Sequence, residues 1–214
     1  MDLAIAAEEI GIDGTYFRTH HFTNQLASPF PMLAVIGPRI NKIEIGTGVI
    51  DMRYENPVYI LENAGAADLI SNSRLQLGIS RGSPEQVIDR WHYFGYETAK
   101  GKTDADMGRH KGLEFLEKLN GIGFAKLNSN LMFPNPPGLL QLEPYSPGLH
   151  NQIWQGAGSN ATAVWVTENG MNLQSSTLKD DENGKPFHIQ QAEQIRLYRE
   201  VWKKPDIKES RGSR

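Results

Sequence analysis

The sequence predicts an α/β fold in which helices cover a parallel sheet. Segments with apolar residues at helical spacing alternate with short β-leaning segments along most of the 214 residues. Such alternation is typical of a parallel sheet, because parallel strands need the crossover connections that helices supply. Polar and glycine-rich residues follow several of the predicted strands, and this is the edge where βα-built enzymes carry out their chemistry.

The first half of the chain alternates helix and strand. An apolar helical pattern runs from Leu3 to Ile10, and Gly11 marks its end. Two further helices are predicted at 31–39 and 57–71, each with a proline at its first position. The strands predicted in this half are 15–18, 43–47 and 75–79.

The second half continues the alternation around one long irregular segment. Ser83 and Gln86 have the spacing of a helix N-terminus and predict a helix at 84–94. Residues 124–150 hold five prolines and little periodicity, which predicts a long loop or hairpin excursion. The remaining helices are predicted at 107–119, 160–169 and 187–203, and the remaining strands at 153–157 and 171–174.

Length and composition restrict the kind of protein. No linker interrupts the pattern, so residues 1–204 are predicted to form one domain, followed by a polar tail at 205–214. Charged residues make up 22% and the net charge is −3, which gives no sign of a nucleic-acid-binding surface. With 0 cysteines, neither disulfides nor thiolate chemistry is available, and a cytoplasmic protein is predicted. No apolar run approaches the ~18 residues of a membrane span, and no zinc-site spacing is present.

Four strand-to-loop junctions predict one composite site. Because the carboxyl ends of parallel strands meet at one edge of a sheet, their polar residues are expected to lie together. Neighbouring side chains on an extended segment point to opposite faces, so one imidazole of His20-His21 is predicted to face a pocket and the other to pack behind it. The junctions are His20-His21, Gly46-Thr47-Gly48, Ser80-Arg81-Gly82-Ser83 and Gly156-Ala157-Gly158-Ser159.

Two of these junctions have the chemistry of an anion site. Arg81 offers a planar fork of donors suited to phosphate. The segment from Gly158 to Thr162 opens a predicted helix, where free N–H groups and hydroxyls favour an anion. Structural alternatives remain open for each junction: a helix cap beside an exposed Arg81, an ordinary N-cap, a glycine bulge at Gly48, and a histidine pair in the core or at the surface.

Several segments together carry a resemblance to a known family. They include Glu9-Ile10-Gly11-Ile12-Asp13, Thr19-His20-His21-Phe22-Thr23, Ile43-Glu44-Ile45-Gly46-Thr47-Gly48-Val49, Arg74-Leu75-Gln76-Leu77-Gly78-Ile79-Ser80-Arg81-Gly82, Phe94-Gly95, Gly156–Thr162 and Gly170-Met171-Asn172. In order and spacing the chain resembles the bacterial luciferase-like, flavin-dependent monooxygenases. The resemblance implies a TIM-type (β/α)8 barrel that is incomplete in this chain, because one strand would precede Asp2 and two βα units would follow Lys203.

The resemblance also implies roles for individual residues. His20 takes the catalytic-histidine position, with His21 beside it in the pocket wall. The Gly48-Val49 peptide would be cis and lie beneath the isoalloxazine ring. The residues implied at the cofactor are Ser80 near the ring, Arg81 at the FMN phosphate, and Gly158, Ser159 and Thr162 in the phosphate pocket.

Three functions follow as hypotheses. The first is a monooxygenase that uses reduced FMN from a separate flavin reductase, together with O2, on a small organic substrate. The second is hydride transfer with the deazaflavin F420. The third is a non-catalytic relative that binds flavin or serves as a structural subunit. Relatives often dimerise through the helix that holds Ala64-Gly65-Ala66-Ala67, so a homodimer is expected, although simple packing of that helix on the sheet explains these small residues equally well.

Overall fold

The computed structural model describes residues 1–82, 87–128, 137–177 and 183–202. The helices in these ranges are α1 Asp2–Glu9, α2 Pro29–Ile36, α3 Pro57–Ile70, α4 Asp104–Lys118, α5 Asn160–Glu168 and α6 Phe187–Trp202. The strands are β1 Gly14–Phe17, β2 Glu44–Thr47, β3 Ile50–Asp51, β4 Leu75–Ser80, β5 Ile153–Ala157 and β6 Asn172–Ser175. Short 3₁₀ helices cover Gly37–Arg39, Arg90–Phe94 and Leu149–Gln152.

The named strands form one open sheet in which every pairing is parallel. Its main order is β1-β2-β4-β5-β6, with helices in the connections between successive strands. The two-residue strand β3 follows β2 in the chain and pairs with the end of β4, Ile50 opposite Ile79 and Asp51 opposite Ser80. The predicted α/β class is therefore confirmed, whereas β3 was missed because two residues show no periodicity.

The helix-covered face of the sheet is apolar. Alternate residues of the strands are removed from solvent there, because successive side chains point to opposite faces. They join one cluster with apolar residues of α2, α3, α4 and α5. The largest members of this cluster include Leu33, Ile36, Ile45, Ile60, Leu75, Leu77, Ile79, Phe115 and Ile153, each at most 1% exposed.

The opposite face carries a row of hydrogen-bonded polar side chains across four strands. Tyr16 Oη donates to Glu44 Oε2 at 3.0 Å, and Gln76 Nε2 donates to Glu44 Oε1 at 3.0 Å. Trp154 Nε1 donates to Gln76 Oε1 at 2.5 Å. Burial and these acceptor contacts raise the pKa of Tyr16 to about 12, so its phenol remains a donor to Glu44. The row ties β1, β2, β4 and β5 together on the side that faces away from the helices.

The start of α4 lies three residues before the predicted one. Thr103 Oγ1 accepts from the backbone N–H of Asp106 at 3.1 Å, and the Asp106 carboxylate accepts from the backbone N–H of Thr103 at 2.9 Å. This reciprocal capping box begins the helix at Asp104. The signal, a threonine followed three residues later by an acidic residue, is present in the sequence and was overlooked.

The helix predicted at 84–94 is wrong for the residues that the structure describes. Only Arg90–Phe94 is helical there, and it is a 3₁₀ helix. Asp89 has a left-handed backbone with φ 45°, which a continuous α-helix cannot contain. Arg90 and Trp91 are buried, so tertiary packing and not helical periodicity determines this segment. The predicted cap residues Ser83 and Gln86 lie outside the described residues.

The excursion at 124–150 folds back on itself at its base. An isolated antiparallel bridge joins Ala125 to Leu140, as expected for a hairpin, and residues 129–136 lie outside the described part of the chain. The predicted tail at 205–214 also lies outside it. Among the helices that the structure describes, none has both the length and the apolar character needed to cross a bilayer.

Candidate functional site

The carboxyl edge of the sheet brings three strand ends together around Val49. A β-carbon added to Gly78 would lie 3.0 Å from Val49 Cγ1, and one added to Gly156 would lie 3.5 Å from Val49 Cγ2. The same position at Gly156 is 3.6 Å from the β-carbon of Ser80. The side chain of Val49 therefore lies over glycine backbone of both β4 and β5, and only residues without side chains leave that space.

The Gly48-Val49 peptide bond is cis, as the resemblance implied. The Gly48 N–H donates to the Phe17 carbonyl at 2.8 Å, which continues the pairing of β1 and β2 by one residue. A β-carbon at Gly48 would lie 3.3 Å from Nε2 of Gln174, which is on β6. Residues from both outer strands of the sheet thus approach the Gly48-Val49 peptide.

The two histidines point into different surroundings. His20 Nε2 accepts a hydrogen bond from Arg18 Nε at 2.9 Å. The His21 ring lies 4.2 Å from the Tyr54 ring and 4.9 Å from the Phe94 ring, between centroids. The two imidazoles therefore have different surroundings, and the prediction that one of them faces a pocket stays a prediction. His21 is the one that packs.

Thr19 connects the histidine loop to the cis peptide. Its Oγ1 donates to the Val49 carbonyl at 2.6 Å, and the residue is buried. On the next residue, the backbone N–H of His20 donates to the Leu26 carbonyl at 3.0 Å, which holds the loop on its other side. Sequence reasoning passed over Thr19, because nothing local marks a threonine whose partner is 30 residues away.

The loop that follows β4 rests on a buried guanidinium. The Gly82 N–H donates to Ser80 Oγ at 3.1 Å, and a β-carbon at Gly82 would overlap the guanidinium of Arg53. Arg53 pairs with Asp51 at 2.6 Å and also with Asp104. Burial alone would lower the pKa of Arg53, but these two carboxylates raise it, so the side chain stays charged beneath the loop. The loop that carries Arg81 is therefore supported by the buried ion pairs of Arg53.

The helix α4 contacts the same loop from the side. A β-carbon at Gly108 would lie 3.0 Å from Arg81 Cα. The following residue, Arg109, reaches α5, where its guanidinium lies 5.9 Å from the centre of the Trp165 ring. Its Nε is buried, and no polar atom of the described residues accepts its hydrogen. The residue next to Gly108 thus brings a second guanidinium to α5, with a donor that needs an acceptor.

The loop that follows β5 forms a capped helix start. Ser159 Oγ accepts from the Thr162 N–H at 3.3 Å and lies 3.0 Å from Thr162 Oγ1. The Gly158-Ser159 segment is held from behind by Gln194 of α6, which is fully buried and donates to the carbonyls of Ser159 at 2.9 Å and Ala157 at 3.3 Å. The N-cap that the sequence left open as the structural alternative is present, and it leaves the first N–H groups of α5 at the carboxyl edge.

Two ionisable side chains with shifted pKa values, Lys111 and Glu55, lie below the site. Lys111 Nζ donates to the Arg53 carbonyl at 2.9 Å and lies 3.1 Å from the centre of the Tyr96 ring. Burial lowers the pKa of Lys111 to about 8, against the attraction of Glu55 and Asp51. Burial and then the negative charge of Asp51 raise the pKa of Glu55 to about 7, although Lys111 opposes this. When both side chains are ionised, the charges of Lys111 and Glu55 cancel.

The predicted site residues therefore fall into two linked groups. Thr19 joins the histidine loop to Val49, and Val49 contacts the strands that lead into the other two loops. The two groups are thus linked through Val49. No cluster of three or more metal-ligating His, Asp or Glu side chains occurs in the part of the chain that the structure describes.

A parallel α/β sheet with polar loops gathered at its carboxyl edge is the arrangement of a βα-built enzyme. The sequence profile of the luciferase-like monooxygenases matches residues 1–209. The chain therefore belongs to the luciferase-like monooxygenase family.

Two relatives illustrate the match. The alkanal monooxygenase alpha chain of Photorhabdus luminescens is 33% identical over 203 residues, which cover 91% of this chain and 50% of the relative. The oxygenase component of the flavin-dependent trigonelline monooxygenase of Acinetobacter baylyi is 25% identical over 186 residues, 83% of this chain and 48% of the relative. The chain thus spans about half the length of these relatives.

Solved structures share the fold. The oxygenating constituent of 3,6-diketocamphane monooxygenase from Pseudomonas putida, in complex with FMN, superposes with a TM-score of 0.64 at 17% identity, over 94% of this chain and 54% of that chain. An F420-dependent secondary alcohol dehydrogenase gives a TM-score of 0.54 at 15% identity, over 96% of this chain and 61% of that chain. These likenesses confirm the barrel-type α/β fold, here as an open sheet.

Proposed function

We propose that this chain supplies the flavin-binding loops of a monooxygenase that uses reduced FMN and O2 on a small organic substrate. The observation that carries the proposal is the meeting, at Val49, of the loop after β1 with strands β4 and β5, which lead into the loops that hold the anion-binding residues. It supports a site in which a proton-carrying side chain and a set of anion-binding donors lie at one edge of the sheet. The bound flavin would supply the oxygen chemistry, and the protein would supply binding, orientation and proton control.

The phosphate end of the cofactor fits the loops after β4 and β5. Arg81 and Arg109 offer two guanidinium groups, and the buried Nε of Arg109 still needs an acceptor. Ser159 and Thr162 offer hydroxyls at the start of α5, where the helix dipole also favours an anion. Gly158 directly precedes the cap residue Ser159 and carries no side chain. We infer that these five residues hold the phosphate.

The ring end fits the glycine-lined space around Val49. The Gly48-Val49 segment, whose Val49 side chain covers the backbone of Gly78 and Gly156, would form the surface against which the aromatic ring lies. Ser80 lies at the rim of this surface, 3.6 Å from the β-carbon position of Gly156. His20 would act on the cofactor or the substrate as the proton-handling group, and His21 would hold the wall beside it.

Partners belong to the same proposal. The relative from Acinetobacter is an oxygenase component, and the present sequence has no Gly-x-Gly-x-x-Gly segment for a nicotinamide dinucleotide. We therefore expect a separate flavin reductase to deliver reduced FMN.

We also propose that the protein is a cytoplasmic homodimer. Ala64, Gly65 and Ala67 are buried within the chain, and Gly65 lies against the Pro144 carbonyl, so these small residues support packing of the excursion and not a subunit contact.

The test is a fluorescence titration of the chain with FMN. We expect saturable quenching, and oxygen uptake once a reductase supplies the reduced cofactor. Saturable binding of F420 with none of FMN would favour the hydride-transfer alternative. FMN binding without oxygen uptake would favour a non-catalytic flavin-binding relative, and no binding of either cofactor would remove both enzyme proposals for this chain.

A further inference from the structure

Arg18 and His20 lie on the same side of the extended segment that follows β1. Residues two apart in an extended chain share a face, so the guanidinium of Arg18 can reach the imidazole without any turn. The distance from Arg18 Nε to His20 Nε2 is 2.9 Å, within the usual range for N–H hydrogen bonds. The site proposed above gave Arg18 no role.

Only one of the two nitrogens can be the donor in this hydrogen bond. An arginine Nε–H donates and cannot accept, and arginine stays protonated in proteins. His20 Nε2 must therefore offer its lone pair, and the ring hydrogen of the neutral imidazole must be on Nδ1. A hydrogen bond from a charged donor is also about twice as strong as one between neutral groups.

We propose that Arg18 is a positioning residue that holds His20 in its Nδ1–H tautomer. On the function proposed above, this narrows the role of His20. With Nε2 engaged by a guanidinium, His20 does not act as a base through that nitrogen, and it presents Nδ1–H as a donor. Such a donor stabilises negative charge that develops on cofactor or substrate, while the imidazole keeps its proton.

Hydrogen bonds hold the backbone on both sides of His20, so a side-chain contact can fix the orientation of its ring. The His20 N–H donates to the Leu26 carbonyl, and the adjacent Thr19 hydroxyl donates to the Val49 carbonyl. With the main chain fixed on both sides, the ring orientation depends on χ angles that the Arg18 contact selects. His21 packs against the rings of Tyr54 and Phe94.

The experiment is long-range proton–nitrogen NMR of the chain labelled with nitrogen-15 in histidine, at about pH 8.5, where imidazoles with the ordinary pKa of about 6.5 are neutral. The signals of His20 are identified by their loss in His20→Ala. We expect the wild type to show the Nδ1–H pattern at His20. In Arg18→Met we expect the tautomer ratio to change by about tenfold or more towards Nε2–H, as for the loss of one charged hydrogen bond. Arg39→Met removes an exposed arginine from a 3₁₀ helix elsewhere and should leave His20 unchanged.

Two results would overturn the assignment: an Nε2–H pattern at His20 in the wild type, or an unchanged His20 pattern in folded Arg18→Met. The signals of the other five histidines report whether the variant is folded, and Arg18→Gln replaces it if it is not. These spectra need no flavin, so they fail separately from the proposed function. If His20 shows the Nδ1–H pattern and the chain does not bind FMN, the role of Arg18 stands and the proposed flavin function fails. If the chain binds FMN and His20 shows the Nε2–H pattern, the flavin function stands and the role of Arg18 fails.

Discussion

The partly buried carboxyl of Glu55, below the carboxyl edge of the sheet, makes the stability of the fold depend on pH. Glu55 has a pKa raised to about 7, chiefly by burial, whereas a carboxyl in the unfolded chain titrates near 4.5. Between these values the folded state binds a proton that the unfolded state has lost. The contribution of Glu55 to stability is therefore complete below pH 4.5 and is lost as the pH rises through about 7.

We accordingly predict that Glu55→Gln removes this pH dependence. Relative to the variant, the wild type should lose on the order of 2 kcal/mol of unfolding free energy between pH 5 and pH 8, after allowance for solvent at this half-buried position. Urea unfolding at the two pH values measures the difference. Glu97→Gln makes the same chemical change at an exposed position and should give parallel curves. If the unfolding free energies of the wild type and of Glu55→Gln change in parallel across this range, the pKa of Glu55 is not raised in the folded state.

At the anion site, we predict that Arg81→Ala weakens FMN binding by about 1.5–3 kcal/mol, the usual worth of a hydrogen bond to a charged group. The loss should be confined to ligands with a phosphate, so riboflavin affinity should stay within error. Titration of both ligands measures this, with Arg39→Ala as the matched loss of an exposed arginine. Equal losses for FMN and riboflavin would instead give Arg81 a role in forming the ring surface, and no loss for either would leave it without a role in flavin binding.

At the scale of elements, glycines set how closely the strands and loops approach. Gly78 has no space for a side chain: a β-carbon would overlap the Thr47 carbonyl and lie 3.0 Å from Val49 and 3.1 Å from the Gln174 carboxamide. Gly112 of α4 is the opposite case, since nothing lies within 4 Å of its β-carbon position. The two positions therefore separate a glycine that geometry requires from one that it does not.

We predict that Gly78→Ala destabilises the fold by about 1–3 kcal/mol, as expected when an extra carbon is forced into packed structure. Gly112→Ala should stabilise it by about 0.5–1 kcal/mol, because alanine is the better helix former and meets no obstacle. Urea midpoints of the two variants against wild type test both signs together. Stabilisation by Gly78→Ala would mean that β2 and β4 do not approach as closely as their register indicates.

Much of the element pattern was predictable, because it depends on local periodicity. The strand at Ile153–Ala157 has the predicted limits, and α3 begins at Pro57 as predicted, where Asn56 caps it. Packing between distant segments was not predictable. Arg109 and Gln194 belong to the candidate site only because α4 and α6 pack beside α5 and β5, and a single sequence carries no signal of that packing. The helix expected at 84–94 failed for the same reason, since buried Arg90 and Trp91 override the periodicity.

For the whole molecule, the candidate site joins parts of the chain that are far apart in sequence. The loops at 18–22, 47–50, 80–82 and 157–162 come from four different strands of one sheet. A ligand that contacts all of them binds only when the sheet is assembled, and unfolding releases it. Binding must therefore raise the stability of the entire fold, which local effects at one loop would not do.

We predict that FMN at about 100 times its dissociation constant stabilises the chain by about 2.7 kcal/mol. For a chain of 214 residues, this corresponds to a rise in Tm of about 5–10 °C, measured by thermal unfolding followed by circular dichroism. Riboflavin at the same concentration offers the same ring without the phosphate, so its shift should be clearly smaller. Arg81→Ala should bring the FMN shift close to that of riboflavin, because the phosphate then loses a partner. Equal shifts from the two ligands in the wild type would contradict a phosphate site at β4 and β5, and no shift from either would mean that the four loops do not close around a flavin.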